Sequence, residues 1–284
     1  MGYPTEISWT DATVNPVGGC SIKSAGCQNC YSQRIIGTRL ATHPLYAGTT
    51  DIVKGKSVFN GYLTVAADDH DVWKWPLRWR GAKNPVMGKD MPSAIFVADM
   101  SDLFHEDRPR RDIRKVLDLC EETKHVTQLL TKRPEVMVKN VGTCYRVERE
   151  KIWLGFSAER QREFDERWEH MRPLTTLGWI VFVSIEPMLG PITLPVDFLE
   201  CGRRAWVICG GESGPDRRET NADWFRAIRD QCLIADVSYF TKQMTGKKAI
   251  PKDLMIREFP KVPSWMFSPQ VMSRISNDPQ LTLV

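Results

Sequence analysis

The sequence lacks any run of about 18 apolar residues, so no transmembrane helix is expected. Its opening residues, MGYPTEISWTD, lack the basic-then-apolar layout of a secretory signal. A cytoplasmic location is therefore expected, where thiols stay reduced. A disulfide scaffold is also excluded by spacing. Five of the eight cysteines (Cys120, Cys144, Cys201, Cys209, Cys232) stand singly, and buried free thiols behave as small hydrophobes. No internal repeat or low-complexity segment stands out.

What is present is an ordinary globular composition over 284 residues, 42% hydrophobic and 26% charged. That length can bury a sizeable core. The net charge of +4 permits a polyanionic partner without demanding one. From residue 94 onward, short apolar runs alternate with amphipathic helical patterns. The runs begin at AIFVADMSDLF, HVTQLLTKRP, IWLGFSAER, WIVFVSIEP, AWVICGGESG and VSYFTKQ, each the length of a strand buried on both faces. Between them, Ile113, Val116, Leu117 and Cys120 form one helical stripe, and Phe164, Trp168 and Met171 another. A third helix, capped by Thr220 and Asn221, is expected to bury Trp224, Ile228 and Cys232.

Repeated strand–helix units imply right-handed crossovers and a parallel sheet. Six strand ends carry polar or flexible residues: Asp99, Ser101 and Asp102; Lys132 and Arg133; Ser157 and Glu159; Ser184 and Glu186; Gly210, Gly211 and Glu212; Lys242 and Gln243. One crevice of a doubly wound sheet does not need so many, whereas a (β/α) barrel assembles its site from many strand ends. The expected fold is α/β, a partial (β/α)6-type barrel over residues 1–249. Residues 43–92 are expected as a Trp/Arg-rich insertion, and residues 250–284 as a peripheral C-terminal extension.

The strongest chemical signal is VGGCSIKSAGCQNCY, with Cys20, Cys27 and Cys30 in a C-x6-C-x2-C arrangement. A closed zinc site wants four ligands, and His43 is the next candidate after Cys30. A redox pair at Cys27 and Cys30 leaves Cys20 unexplained. A [4Fe–4S] cluster is held by thiolates, and three of them leave one iron open to a further ligand.

A three-cysteine loop after the first strand of a (β/α) barrel resembles the radical S-adenosylmethionine (SAM) superfamily. With ISWTDATVNPVGGC, CxxCY, MSDLF, TKRP, SIEPMLGP and VICGGESGP, the chain is also similar to a radical-SAM-like phage and prophage family, Gp-thirty-seven/Gp-sixty-eight. These motifs run from about residue 6 to about residue 245. Two departures stand out: the usual first gap is three residues rather than six, and the usual aromatic before the last cysteine is Asn29, with Tyr31 following instead. The resemblance implies a [4Fe–4S] cluster on Cys20, Cys27 and Cys30, and S-adenosylmethionine on the open iron. It implies cofactor contacts from Tyr31, Asp99, Ser101, Ser157, Glu159, Ser184, Glu186, Gly210 and Gly211. Lys132, Arg133 and Lys242 are candidates for neutralising a carboxylate or phosphate, and Glu212 and Lys242 for catalysis. It further implies an external electron donor of flavodoxin or ferredoxin type, and host cytoplasm if the chain is phage-encoded.

The insertion interleaves Trp73, Trp75 and Trp79 with Lys74, Arg78, Arg80 and Lys83, a pattern suited to flipped or single-stranded nucleotides. Trp75, Arg78, Trp79 and Arg80 are thus candidate contacts to DNA or a modified nucleotide. The alternative is a tryptophan-anchored loop packed on the barrel. The phage resemblance implies a radical isomerase remodelling an amino-acid-modified thymidine derived from 5-hydroxymethyluracil. A radical lyase on damaged DNA, with Cys144 as hydrogen donor, and a zinc-bearing DNA-binding protein are the alternatives.

Overall fold

A computed structural model describes residues 3–141 and 151–261. The chain enters through β1 (Ala12–Val14), which is buried throughout, and β2 (Val17–Gly18). The cysteine loop follows and leads into α1 (Tyr31–Thr38). The expected insertion then folds as the hairpin β3 (Thr50–Val53) and β4 (Lys56–Phe59), the short β5 (Thr64–Val65) pairing with β2, and the single turn α2 (Trp75–Arg78).

From there the strand–helix rhythm holds. It runs β6 (Ala94–Val97), α3 (Arg110–Glu122), β7 (Val126–Thr131), α4 (Pro134–Val141), β8 (Ile152–Ser157), α5 (Gln161–Thr176) and β9 (Val181–Ile185). It ends with α6 (Val196–Leu199), β10 (Ala205–Gly210), α7 (Ala222–Ile234) and β11 (Ser238–Gln243). Seven strands form one parallel sheet in the order β1-β6-β7-β8-β9-β10-β11. Sequential order with no reversal point distinguishes it from a doubly wound sheet. The sheet curls into an open half-barrel, compatible with the partial barrel expected, with seven strands rather than six.

Alternation along the strands sorts the core into two layers. Ile95, Leu129, Leu154, Phe156, Val183, Val207 and Cys209 face the helices, where they meet Ile113, Phe164, Trp168 and Phe225. The opposite, concave face is filled by aromatic rings. Trp9, Phe96, Trp153, Phe182, Trp206 and Phe240 pack there, with Trp153 and Trp206 edge-on at 5.6 Å. Large rings fill the hollow that a half-barrel leaves open on its inner side. On α7 the buried positions are Phe225, Ile228 and Cys232, while Trp224 is only half-buried, so the stripe is shifted by one residue from the expected one. Asn221 caps this helix by accepting from the Asp223 amide at 2.9 Å.

The C-terminal extension has a clear structural job. Residues 256–259 run antiparallel along the free edge of β11, with Thr241 N donating to Ile256 O and Glu258 N to Tyr239 O, both at 2.9 Å. An uncovered parallel edge would offer unpaired backbone groups to another chain. No helix among the described residues is long and apolar enough to cross a membrane.

Candidate functional site

A cavity of about 260 Å³ opens at the C-terminal ends of the sheet strands. Its floor is the apolar inner layer, with Ile7, Trp9, Phe96 and Leu130. Cys20, Cys27 and Cys30 all line it, with Tyr31 beside them. Each strand end adds its share: Asp99, Ser101 and Asp102 after β6, Lys132 and Arg133 after β7, Ser157 on β8, Ser184 and Glu186 at β9, Gly211 and Glu212 after β10, and Lys242 and Gln243 on β11. Two of the residues expected at this site do not line the cavity itself. Glu159 and Gly210 stand behind the wall, and Cys144 lies outside the described residues.

The cysteine loop is shaped locally. Cys27 closes a short 3-10 turn, Ala25–Cys27, its amide donating to Ser24 O at 3.0 Å. Its sulfur accepts from the Lys23 amide at 3.4 Å. Cys30 stands at the N-cap of α1, where no side-chain bond satisfies the helix end. All three thiols are free. Burial first, then the nearby Asp102 carboxylate, push the Cys20 thiol up to about 12, opposed by Arg133. Cys27 and Cys30 act on it as further negative neighbours, so the three sulfurs share one electrostatic site.

Two carboxylates pin this loop from below. Glu159 is wholly buried and receives Ser24 Oγ at 2.8 Å, Lys132 Nζ at 2.9 Å and Arg167 Nη1 at 3.3 Å. Burial alone would raise its pKa, but Lys132 and Arg167 outweigh that and hold the carboxyl below its ordinary value. Gly26 lies so close that a Cβ there would overlap Glu159 Oε1. Glu212 does the same from β10. It is held by Arg218, whose backbone amide donates to Oε2 at 2.6 Å, and by Asn29 Nδ2 at 3.1 Å. These donors outweigh burial and depress its pKa. Arg218 Nη2 also donates to Ala25 O at 3.1 Å.

The remaining candidates divide by what already occupies them. Asp99 accepts from Asn15 Nδ2 at 2.6 Å, and its own carbonyl takes Tyr31 Oη at 2.6 Å. Burial raises the Asp99 pKa against that hydrogen bond. Ser101 Oγ is spent on Val17 O at 2.9 Å. Glu186 accepts from Ser184 Oγ and pairs with Lys242 Nζ, each at 2.8 Å. Gly210 was expected to let backbone approach a ligand. Instead it makes room for the Glu186 carboxylate, and Gly211 makes room for the Thr245 backbone. Arg133 is buried and fully engaged with protein groups, so it is not a free anion anchor.

The Trp/Arg segment is not at this cavity. Trp79 packs on His125 with ring centroids 4.7 Å apart, and its carbonyl meets His125 Nε2 at 2.9 Å. His125 immediately precedes β7, so this is the opposite end of the strands. Trp75 stacks on Trp79 at 5.3 Å, Trp73 Nε1 donates to Ala67 O, and Arg78 pairs with Asp71 at 2.5 Å. Arg80 is exposed nearby in the chain. The packing alternative describes these residues.

His43 does not join the cysteines either. It is exposed, its Nδ1 accepting from the Leu45 amide at 3.2 Å. Among the described residues no three His, Cys, Asp or Glu side chains converge closely enough for a single ion. A [4Fe–4S] cluster asks for something different, since each thiolate takes a separate iron corner. Three free thiols around one cavity, with no fourth cysteine and no histidine among the described residues that line it, fit that group.

The groups that sequence reasoning missed are the ones that brace the loop: Ser21, Ser24, Asn29, His105, Arg167 and Arg218. None carries a local signal, because each acts across more than one strand–helix unit or from within the loop itself.

The site and the fold together define an open parallel α/β half-barrel with a three-thiol cavity at its strand ends. Residues 4–269 match the family described as "Protein of unknown function (DUF5131)", and the chain belongs to that family. No curated protein and no solved structure matches it.

Proposed function

We propose that this protein is a radical SAM enzyme, in which Cys20, Cys27 and Cys30 hold a [4Fe–4S] cluster beside a cavity that takes S-adenosylmethionine. The observation that carries this reading is the convergence of three free thiols on one cavity at the mouth of a parallel half-barrel, with no fourth cysteine and no histidine among the described residues that line it. When bound, the cluster and S-adenosylmethionine together supply a 5′-deoxyadenosyl radical for hydrogen abstraction.

The chain's own groups have definable tasks in this reading. Asp99, held by an amide rather than by a lysine or arginine side chain, offers its carboxylate to an ammonium group entering the cavity. Tyr31, tied to the Asp99 carbonyl, walls the cavity beside Cys30. The Ser184–Glu186–Lys242 set presents a polar, charge-balanced wall, and the Lys242 ammonium has donors beyond its bond to Glu186. The aromatic floor excludes water from beneath the site. An isomerase acting on an amino-acid-modified thymidine rests on the family resemblance alone. The tryptophans and arginines of residues 73–80 lie at the other end of the sheet and lend it no weight.

Anaerobic reconstitution with iron and sulfide is the test. About four irons per chain are expected, with uptake lost on replacing any one of Cys20, Cys27 or Cys30 by serine. One zinc per chain with no iron overturns the reading.

A further inference from the structure

One side chain brings a full positive charge to a cysteine sulfur. Arg133, 1% exposed, donates from Nη1 to Cys20 Sγ at 3.8 Å and to Asp102 Oδ2 at 3.0 Å. Its Nη2 reaches Ser21 Oγ at 2.6 Å and Ser21 O at 3.4 Å, and its Nε meets Glu106. Every nitrogen of the fork is therefore used on the residues at and around Cys20. Ser21 Oγ is also met by His105 Nε2 at 2.8 Å. Because His105 Nδ1 accepts from the Asp107 amide at 3.2 Å, the ring proton sits on Nε2 and points at Ser21. Cys27, by contrast, takes its hydrogen bond from a backbone amide, with the Lys132 ammonium acting on it through space.

We propose that Arg133 is a positioning residue that tunes the cluster: it fixes Cys20 and raises the cluster's reduction potential. The proposal rests on the cluster reading above. Reduction adds negative charge to the iron–sulfur core and its thiolates, and a buried guanidinium against one ligand sulfur stabilises that reduced form. A buried charge at this point acts without touching substrate, and it gives the Cys20 corner a guanidinium hydrogen bond. Arg133 holds its place because Asp102 and Glu106 neutralise it from the far side.

A redox titration of the reconstituted protein, followed by the electron paramagnetic resonance of the reduced cluster, tests this. Arg133→Gln is expected to titrate at a more negative midpoint than wild type, and Arg133→Lys close to wild type. Asp102 is not orphaned in these variants, since Thr131 Oγ1 and the Phe104 amide still reach it at 2.7 Å and 3.0 Å. Glu106→Gln removes a half-exposed negative partner of Arg133, so it tests the same field even where Arg133→Gln fails to fold. It is expected to shift the midpoint upward. Iron content and the thermal midpoint are measured alongside, because a merely structural arginine would move those and leave the potential alone. A bound cluster whose midpoint ignores Glu106→Gln, or ignores Arg133→Gln in a folded variant, overturns the proposal by itself. A wild type that takes up no iron removes the cluster reading and this proposal with it.

Discussion

Glu159 has no solvent exposure and three charged or polar partners, each from a different segment of the chain. Its carboxylate therefore does two things at once: it balances Lys132 and Arg167, and it seats the turn that carries Cys27. The folded-state pKa is depressed. The stability this carboxylate contributes is thus fully present above its unfolded value of about 4.3 and is lost as pH falls through the folded pKa. Glu159→Gln leaves Lys132 and Arg167 without their counter-charge. We expect it to cost about 3 kcal/mol at neutral pH and to flatten the acid limb of the stability curve, both read from urea titrations across pH. Equal stability of the two proteins at pH 7 would contradict the account. From sequence this residue reads as a ligand contact, because it ends a strand beside Ser157. Its burial depends on Gly26, Ser24 and Arg167, and no spacing rule links those positions. Cys20, Cys27 and Cys30, which all line the cavity, stand out in the sequence by their local spacing. The same cannot be said of Arg133, whose charge suggests an anion and whose neighbours decide otherwise.

Among the elements, the six β-rich runs from residue 94 onward all appear as strands, and Ile113, Val116, Leu117 and Cys120 are buried on α3 as the helical period requires. Continuous apolar runs and 3.6-residue stripes are local consequences of two-sided burial, so they survive in the sequence. The Trp75–Trp79 segment was ambiguous because aromatics beside cations suit both base stacking and packing. Only the fold reveals that Trp79 sits on His125 at the start of β7. The extension after Ile250 carries no periodic signal either, since a strap borrows its hydrogen bonds from β11. Phe259 on that strap packs on Trp206 and Phe240, with centroids 5.3 Å and 5.5 Å away. Phe259→Ala should lower stability by about 2 kcal/mol, less than for a wholly buried ring. Unfolding monitored by tryptophan fluorescence would register it, and an unchanged midpoint would show that the strap does not hold the inner layer.

At the scale of the whole molecule, a half-barrel leaves its concave side open, and the chain fills it unevenly. Aromatic rings plug the middle of the inner face, and charged and thiol groups occupy the strand ends above them. This division puts a dry floor under a polar mouth, the setting in which a reactive intermediate can be kept from water. Ion pairs among the wall residues, Lys132–Glu159, Arg133–Asp102 and Lys242–Glu186, keep the cavity's cations from acting as free anion anchors. The central claim is that the three thiols leave one iron open for S-adenosylmethionine. Its most direct measurement is chromatographic detection of 5′-deoxyadenosine after anaerobic incubation of the reconstituted protein with dithionite and S-adenosylmethionine. The account predicts release by the wild type and none by the Cys20→Ser, Cys27→Ser or Cys30→Ser variants. Iron-loaded wild-type protein that releases no more 5′-deoxyadenosine than those variants would contradict it.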